Sequence, residues 1–126
     1  MTRINCGIPP KELIDSHLIA EHREIKRIPN AVKNGRANLL DIPSTFRLGT
    51  GHVKFFYNKL KYLHDRYTSI HEECLVRGFN ITNFSESFIG LPLELYNDYK
   101  PTDIDRAIIR ERIMEKLIAK SAEKVS

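Results

Sequence analysis

Between Gly51 and Gly78, apolar residues recur at alternating intervals of three and four: Val53, Phe56, Leu60, Leu63, Tyr67, Ile70 and Cys74. At about 100° per residue this spacing gathers side chains on one face of an α-helix, and a strand cannot satisfy it. The segment GHVKFFYNKLKYLHDRYTSIHEECLVRG is therefore predicted as one long helix closed by Gly78 in a left-handed cap. Its aromatic stripe, Phe56 and Tyr67 included, belongs to the core. No stretch of the chain alternates at period two, so the remaining segments must pack around this helix rather than onto a sheet.

Two further helices can supply that packing. Pro9 and Pro10 suit first helical positions, and KELIDSHLIAEHREIKRI follows without Gly or Pro until Pro29, which predicts a helix from Pro10 to Arg27. Ile14, Leu18, Ile25 and Ile28 gather on its core side, while Ser16, Ala20, Arg23, Glu24 and Arg27 lie about a third of a turn away. Near the other end, Thr102 with Asp105 three residues later makes a capping-box-like start. Ile104, Ile108, Ile109, Ile113, Leu117 and Ile118 form the apolar side of that helix, and SAEKVS is expected to fray. IPNAVKNGRANLLDIPSTFRLGTG reads as an ordered loop with one short helical turn. FNITNFSESFIGLPLELYNDYKP reads as a connection with short turns after Asn83 and around Pro92 to Tyr96. With 126 residues, 41% of them hydrophobic, the chain suits an all-α, compact single domain of three main helices with long ordered connections.

Lys and Arg outnumber Asp and Glu by 20 to 16, a net charge of +4, which favours polyanionic partners. No run approaches the ~18 apolar residues of a membrane span, and the start lacks a basic segment followed by an apolar one, so a cytoplasmic protein with no membrane partner is expected. Without an export signal, Cys6 and Cys74 are expected as reduced thiols. His71, Glu72, Glu73 and Cys74 are metal-ligand types, but adjacent helical residues point in different directions and no second cluster completes a site. HLIAEH separates its histidines by five positions rather than four, and GTGH lacks the lysine and spacing of a nucleotide loop. Neither a metal nor another cofactor is expected. The glycines of GTGH turn the chain into the long helix, whose start can present N–H groups to a phosphate.

Two short stretches carry chemistry. In MTRIN, the small Thr2 permits removal of Met1, which would leave a free α-amine on Thr2. In HREIKR, Arg23 and Arg27 flank Glu24 at helical spacing. Taken alone, that is a solvated face with ion pairs worth a few tenths of a kcal/mol each. Yet Ala20 keeps the polar stripe low in relief, Ser16 and His17 extend it, and TRIN is close enough in sequence to lie against it while Ile4 enters the core. An α-amine has a reference pKa of about 7.7–8.0, and guanidinium groups such as Arg3 and Arg23 disfavour its protonated form. A neutral amine attacks electrophilic carbon, and a carboxylate beside it can stabilise a sugar cation or move a proton.

MTRIN, HLIAEHRE with Arg27, TFRLGTGHVKFFYNKL, EECLVRGFNI and the DY at 98–99 resemble, in order, segments of the bacteriophage pyrimidine-dimer DNA glycosylases of the endonuclease V type. The resemblance implies base-excision repair of ultraviolet-induced pyrimidine dimers in duplex DNA, with an associated abasic-site lyase activity and no cofactor. It implies that the Thr2 amine attacks C1′ to give an imine resolved by β-elimination, with Glu24 the catalytic carboxylate and Arg23 beside it. Arg3, Arg23 and Arg27 would hold phosphates and shape the site, Ser16 and His17 would lie at the DNA face, and Lys33 and Arg36 would remain as cations of the following connection. Arg112 and Lys116 fit the family's R-x-x-x-K spacing, about one helical turn apart and suited to a phosphate pair. The implied DNA is sharply bent, with an adenine opposite the lesion extruded at a cost of a few kcal/mol. The chain is expected to act as a monomer, in the host cytoplasm if phage-encoded.

The sequence also departs from the family. It stops at Ser126 without an aromatic and basic segment that follows the third helix in other members, and its connection after the first helix holds fewer cations. Ser16 stands where glutamine is usual, and His22 where tyrosine is. Two alternatives stay open: the same chemistry on abasic sites or another modified pyrimidine, and a DNA-binding protein without chemistry.

Overall fold

The computed structural model describes residues 2–125, with side chains as far as residue 123. Met1, whose removal would free the Thr2 amine, lies outside the described residues. The described chain is helical, without strands: α1 (Asp15–Glu24), α2 (Arg27–Lys33), α3 (His52–Phe55), α4 (Leu60–Val76) and α5 (Asp103–Val125). Short 3-10 turns lie at Pro10–Glu12, Phe56–Asn58, Ser85–Phe88 and Leu93–Leu95. The last two fall where the sequence predicted turns after Asn83 and near Pro92. Among the described residues no helix is long and apolar enough to cross a membrane.

The helix expected from Pro10 to Arg27 is broken twice, each time because a backbone partner is taken away. In a continuous helix the carbonyls of Pro10 and Lys11 would accept from the N–H groups four residues on; here Pro10 accepts from the Leu13 N–H at 3.1 Å in a 3-10 turn, and both carbonyls accept from Arg77 Nη2, at 3.2 and 3.3 Å. Leu13 is extended (ψ 136°) and its side chain is buried. Ile14, expected in the core, is half-exposed at the N-cap of α1. The second break follows from Pro29, which has no N–H to offer the Ile25 carbonyl. Ile28 closes a tighter i→i+3 turn instead, through a long bond of 3.4 Å, and Arg27 therefore starts a new helix.

The long helix is interrupted once, by an asparagine from far along the chain. The i→i+4 bond between the Tyr62 N–H and the Asn58 carbonyl is replaced on both sides by Asn97. Its Nδ2 donates to the Asn58 carbonyl at 2.9 Å, and its own carbonyl accepts from Tyr62 at 3.3 Å. This bend lets the adjacent Phe55 and Phe56 both be fully buried. The far end of α4 closes as predicted, with Gly78 at φ 81° and paired bonds from Gly78 to Leu75 and from Phe79 to Cys74, the Schellman arrangement.

The core joins Ile4 and Ile8 of the N-terminal segment to Leu18, Ile25 and Ile28, the aromatic pair Phe55 and Phe56, and Leu60, Leu63, Tyr67, Ile70 and Cys74 of α4. Cys6 and Cys74 are both free thiols. The capping box of α5 forms: the Thr102 N–H donates to Asp105 Oδ2 at 3.0 Å, and the Asp105 N–H to Thr102 Oγ1 at 3.1 Å. α5 buries only a narrow stripe around Ile109, leaving Ile104 and Ile118, both assigned to its apolar side, largely exposed. The helix also continues to Val125, through the segment expected to fray.

Candidate active site

Residues 3–5 belong to no helix or strand, so their polar groups find side-chain partners from three elements. The Arg3 N–H donates to Glu24 Oε1 on α1 at 3.1 Å. The Ile4 N–H donates to His52 Nε2 on α3 at 3.0 Å. Asn5 donates through Nδ2 to Glu21 Oε1 on α1 at 2.7 Å, and its Oδ1 accepts from Arg112 Nη2 on α5 at 2.8 Å. Three successive residues are thus fixed, and Thr2 immediately precedes them.

A pocket opens where this segment meets α1 and α5. His17, Ala20, Glu21 and Glu24 line it from α1, and Arg112, Ile113 and Lys116 from α5, with Arg3 and Asn5 between. Both helices use i, i+3, i+4 or i+7 positions, the spacing of one helical face. Ala20 keeps the α1 wall low, as the sequence suggested.

The electrostatics are uneven. Glu21 is buried and is neutralised by Arg66, which donates through Nε and, at 2.9 Å, through Nη2. Glu24, by contrast, has no buried cation against it among the described residues and accepts from the Arg3 N–H. Its side chain is 12% exposed and lies 3.5 Å from Arg23 Nη2, whose side chain is 57% exposed. Around it stand Arg3, Arg112 and Lys116. Burial, then the charges of Arg112, Lys120 and Arg3, hold the His17 imidazole below the usual histidine range. Of its two carboxylates Glu21 is neutralised by Arg66, so the pocket combines the charge of Glu24 with a surplus of cations, suited to an anionic ligand whose reacting carbon needs a nearby base.

A model of the pyrimidine dimer DNA glycosylase family matches residues 1–87. The chain belongs to this family. It is accordingly a DNA repair glycosylase acting on pyrimidine dimers, with DNA as its substrate. The matched part contains the N-terminal segment, α1 to α4 and hence Glu24; α5, with Arg112 and Lys116, lies beyond it.

Of the residues singled out from sequence, Arg3, His17, Glu24, Arg112 and Lys116 converge on the pocket, and Arg23 touches Glu24 from its rim. Thr2 is half-buried at the head of the anchored segment. Ser16 and Arg27 are exposed and do not line the pocket. Arg36 is likewise exposed outside it, and Lys33 turns away to donate to the Glu86 carbonyl at 2.7 Å. Asn5 and Glu21 were missed. One signal was available: Arg66 falls in register with Leu63, Tyr67 and Ile70, so a cation had to be buried and needed a buried carboxylate. Among the described residues no group of three or more His, Cys, Asp or Glu is placed to hold a metal.

Proposed function

We propose that this glycosylase couples base excision to strand cleavage through the α-amine of Thr2, freed by removal of Met1. The amine attacks C1′ of the damaged nucleotide as the glycosidic bond breaks and the base departs with its electron pair. Loss of the amine proton and opening of the sugar give an imine. Removal of a C2′ proton then expels the 3′ phosphate by β-elimination, and water releases the enzyme. Glu24 stabilises the developing cation at C1′ and relays these protons. Arg3, Arg23, Arg27, Arg112 and Lys116 hold phosphates, with Ser16 and His17 at the DNA face and Lys33 and Arg36 as outlying contacts.

The observation that carries this reading is the bond from the Arg3 N–H to Glu24 Oε1. Covalent geometry sets the Thr2 nitrogen about 3 Å from the Arg3 nitrogen, so that bond tethers the nucleophile beside the carboxylate. The cations around the pocket also favour the neutral amine. The test is borohydride trapping on dimer-containing and abasic duplexes, with the mass of the intact protein determined first. Protein lacking Met1 should form a stable covalent adduct, and acetylation of the amine should abolish it. Excision without any trappable adduct, by protein shown to have lost Met1, would overturn the imine mechanism.

A further inference from the structure

Arg112 is connected to the centre of the molecule by an unbroken line of hydrogen bonds. Its Nη2 donates to Asn5 Oδ1 at 2.8 Å, and Asn5 Nδ2 donates to Glu21 Oε1 at 2.7 Å. Glu21 accepts from Arg66 on its other side, and Arg66 Nη1 is fixed on the Ile8 carbonyl at 2.9 Å. Asn5, Glu21 and Arg66 are 6%, 1% and 8% exposed, so Asn5 and Glu21 reach the pocket with little surface to offer DNA and Arg66 does not line it. The amide orientation is dictated by chemistry: a guanidinium only donates and a carboxylate only accepts, so Asn5 must turn its oxygen to Arg112 and its nitrogen to Glu21.

A buried ion pair that served stability alone would be complete with Glu21 and Arg66. Asn5 extends it to the pocket wall, and the same residue follows directly on Arg3 and Ile4, whose N–H groups are already fixed. We propose that Arg66, Glu21 and Asn5 form a positioning relay that holds the Arg112 guanidinium in one orientation against the N-terminal segment. The guanidinium that takes the phosphate and the segment that carries the nucleophile are thereby held at a fixed separation before DNA arrives. Among the described residues one Arg112 donor is consumed, which leaves the rest of the fork for a phosphate. The inference rests on the proposed reading of Arg112 as a DNA contact.

The experiment compares single-turnover excision on dimer-containing duplex, together with thermal midpoints, for Asn5→Ala, Arg112→Ala and the double variant. Arg112→Ala should slow excision by about 10- to 100-fold, as loss of a positioning contact does. Asn5→Ala should slow it comparably but cost less than about 2-fold more when Arg112 is already absent, because the relay then has nothing to position. The midpoints show how much of any coupling is only the stability of the 2.8 Å hydrogen bond that Asn5 and Arg112 share. An equal loss from Asn5→Ala in both backgrounds would show Asn5 to be structural and overturn the relay. Arg112→Ala at the wild-type rate would instead overturn the reading of Arg112, and the relay with it.

A second pair guards against poor folding of the alanine variant. Asn5→Asp sets carboxylate against carboxylate and should be strongly impaired. Asn5→Gln keeps both an amide nitrogen for Glu21 and an amide oxygen for Arg112, and should excise at least about 10-fold faster than Asn5→Asp. Recovery of the midpoint without recovery of the rate would count against the relay.

Discussion

His52 accepts the Ile4 backbone N–H on Nε2 at 3.0 Å while its Nδ1 donates to the Arg47 carbonyl at 2.9 Å. A backbone N–H can only donate, so Nε2 must be unprotonated and the proton must sit on Nδ1. The ring is buried among Phe46 and Phe56. Burial, assisted by the Arg112 charge and opposed by the Arg47 bond and the Glu21 charge, keeps its pKa below the usual histidine value. One neutral imidazole thus ties the N-terminal segment to the start of α3.

The first prediction follows from that tie. A depressed folded-state pKa means that the unfolded chain binds more protons, so stability is full above the unfolded value of about 6.5 and falls between it and the lower folded value. His22, lowered to about 4 by burial, His71 and Lys26, adds to the same acid-side loss. Thermal midpoints should therefore drop as pH falls from about 7 to 4. His52→Gln, whose side-chain oxygen can still accept from Ile4, should begin from a lower midpoint but show a shallower pH dependence. An unchanged slope would remove His52 from the acid response.

A second prediction concerns Glu24→Gln. The amide oxygen can still accept from Arg3, so the pocket keeps its shape while losing its negative charge. Excision should fall by about 10²-fold or more, in line with loss of an acid–base group, with DNA affinity nearly unchanged. Rates and affinities measured on the same dimer-containing duplex check this, and wild-type excision would leave Glu24 as an ordinary ion-pair residue.

A third prediction is about stability alone. Arg66→Met leaves Glu21 buried without its cation and the Ile8 carbonyl without a donor, a loss of about 3–5 kcal/mol by analogy with other broken buried pairs. Urea unfolding should show it directly. A loss below about 1 kcal/mol would mean that water reaches Glu21 in the variant.

What the sequence disclosed was what is local. The Gly78 closure of α4 and the capping box at Thr102 rest on residues within a turn of one another, and both form. The breaks at Leu13 and Lys59 were invisible because the groups responsible, Arg77 and Asn97, come from tens of residues away. The break before α2 did have a local sign, since Pro29 must strip a bond from Ile25, and it turns Arg27 and Lys33 onto a separate helix. In the site, His17 and Glu24 were legible from helical spacing. The need for a buried carboxylate such as Glu21 was signalled by the register of Arg66, whereas Asn5 had no local sign, because an asparagine beside the core declares its partners only once Glu21 and Arg112 are brought to it.

The last prediction concerns how DNA is held. If Arg3, Arg23, Arg27, Arg112 and Lys116 each neutralise a phosphate, the logarithm of affinity should fall with the logarithm of salt at a slope of about −4 to −5, near −0.9 per phosphate. Arg23→Ala should reduce that slope by about one, since its largely exposed guanidinium loses only a weak 3.5 Å pairing with Glu24 on binding DNA. Lys59→Ala removes the same charge from the chain but should leave the slope unchanged. Its ammonium is already committed to the Phe55 carbonyl at 3.0 Å and Asn58 Oδ1 at 2.9 Å, over the Phe55 ring. Titrations of duplex binding from about 50 to 200 mM salt separate the two variants, and equal slopes for both would mean that net charge, rather than the surface beside Glu24, governs binding.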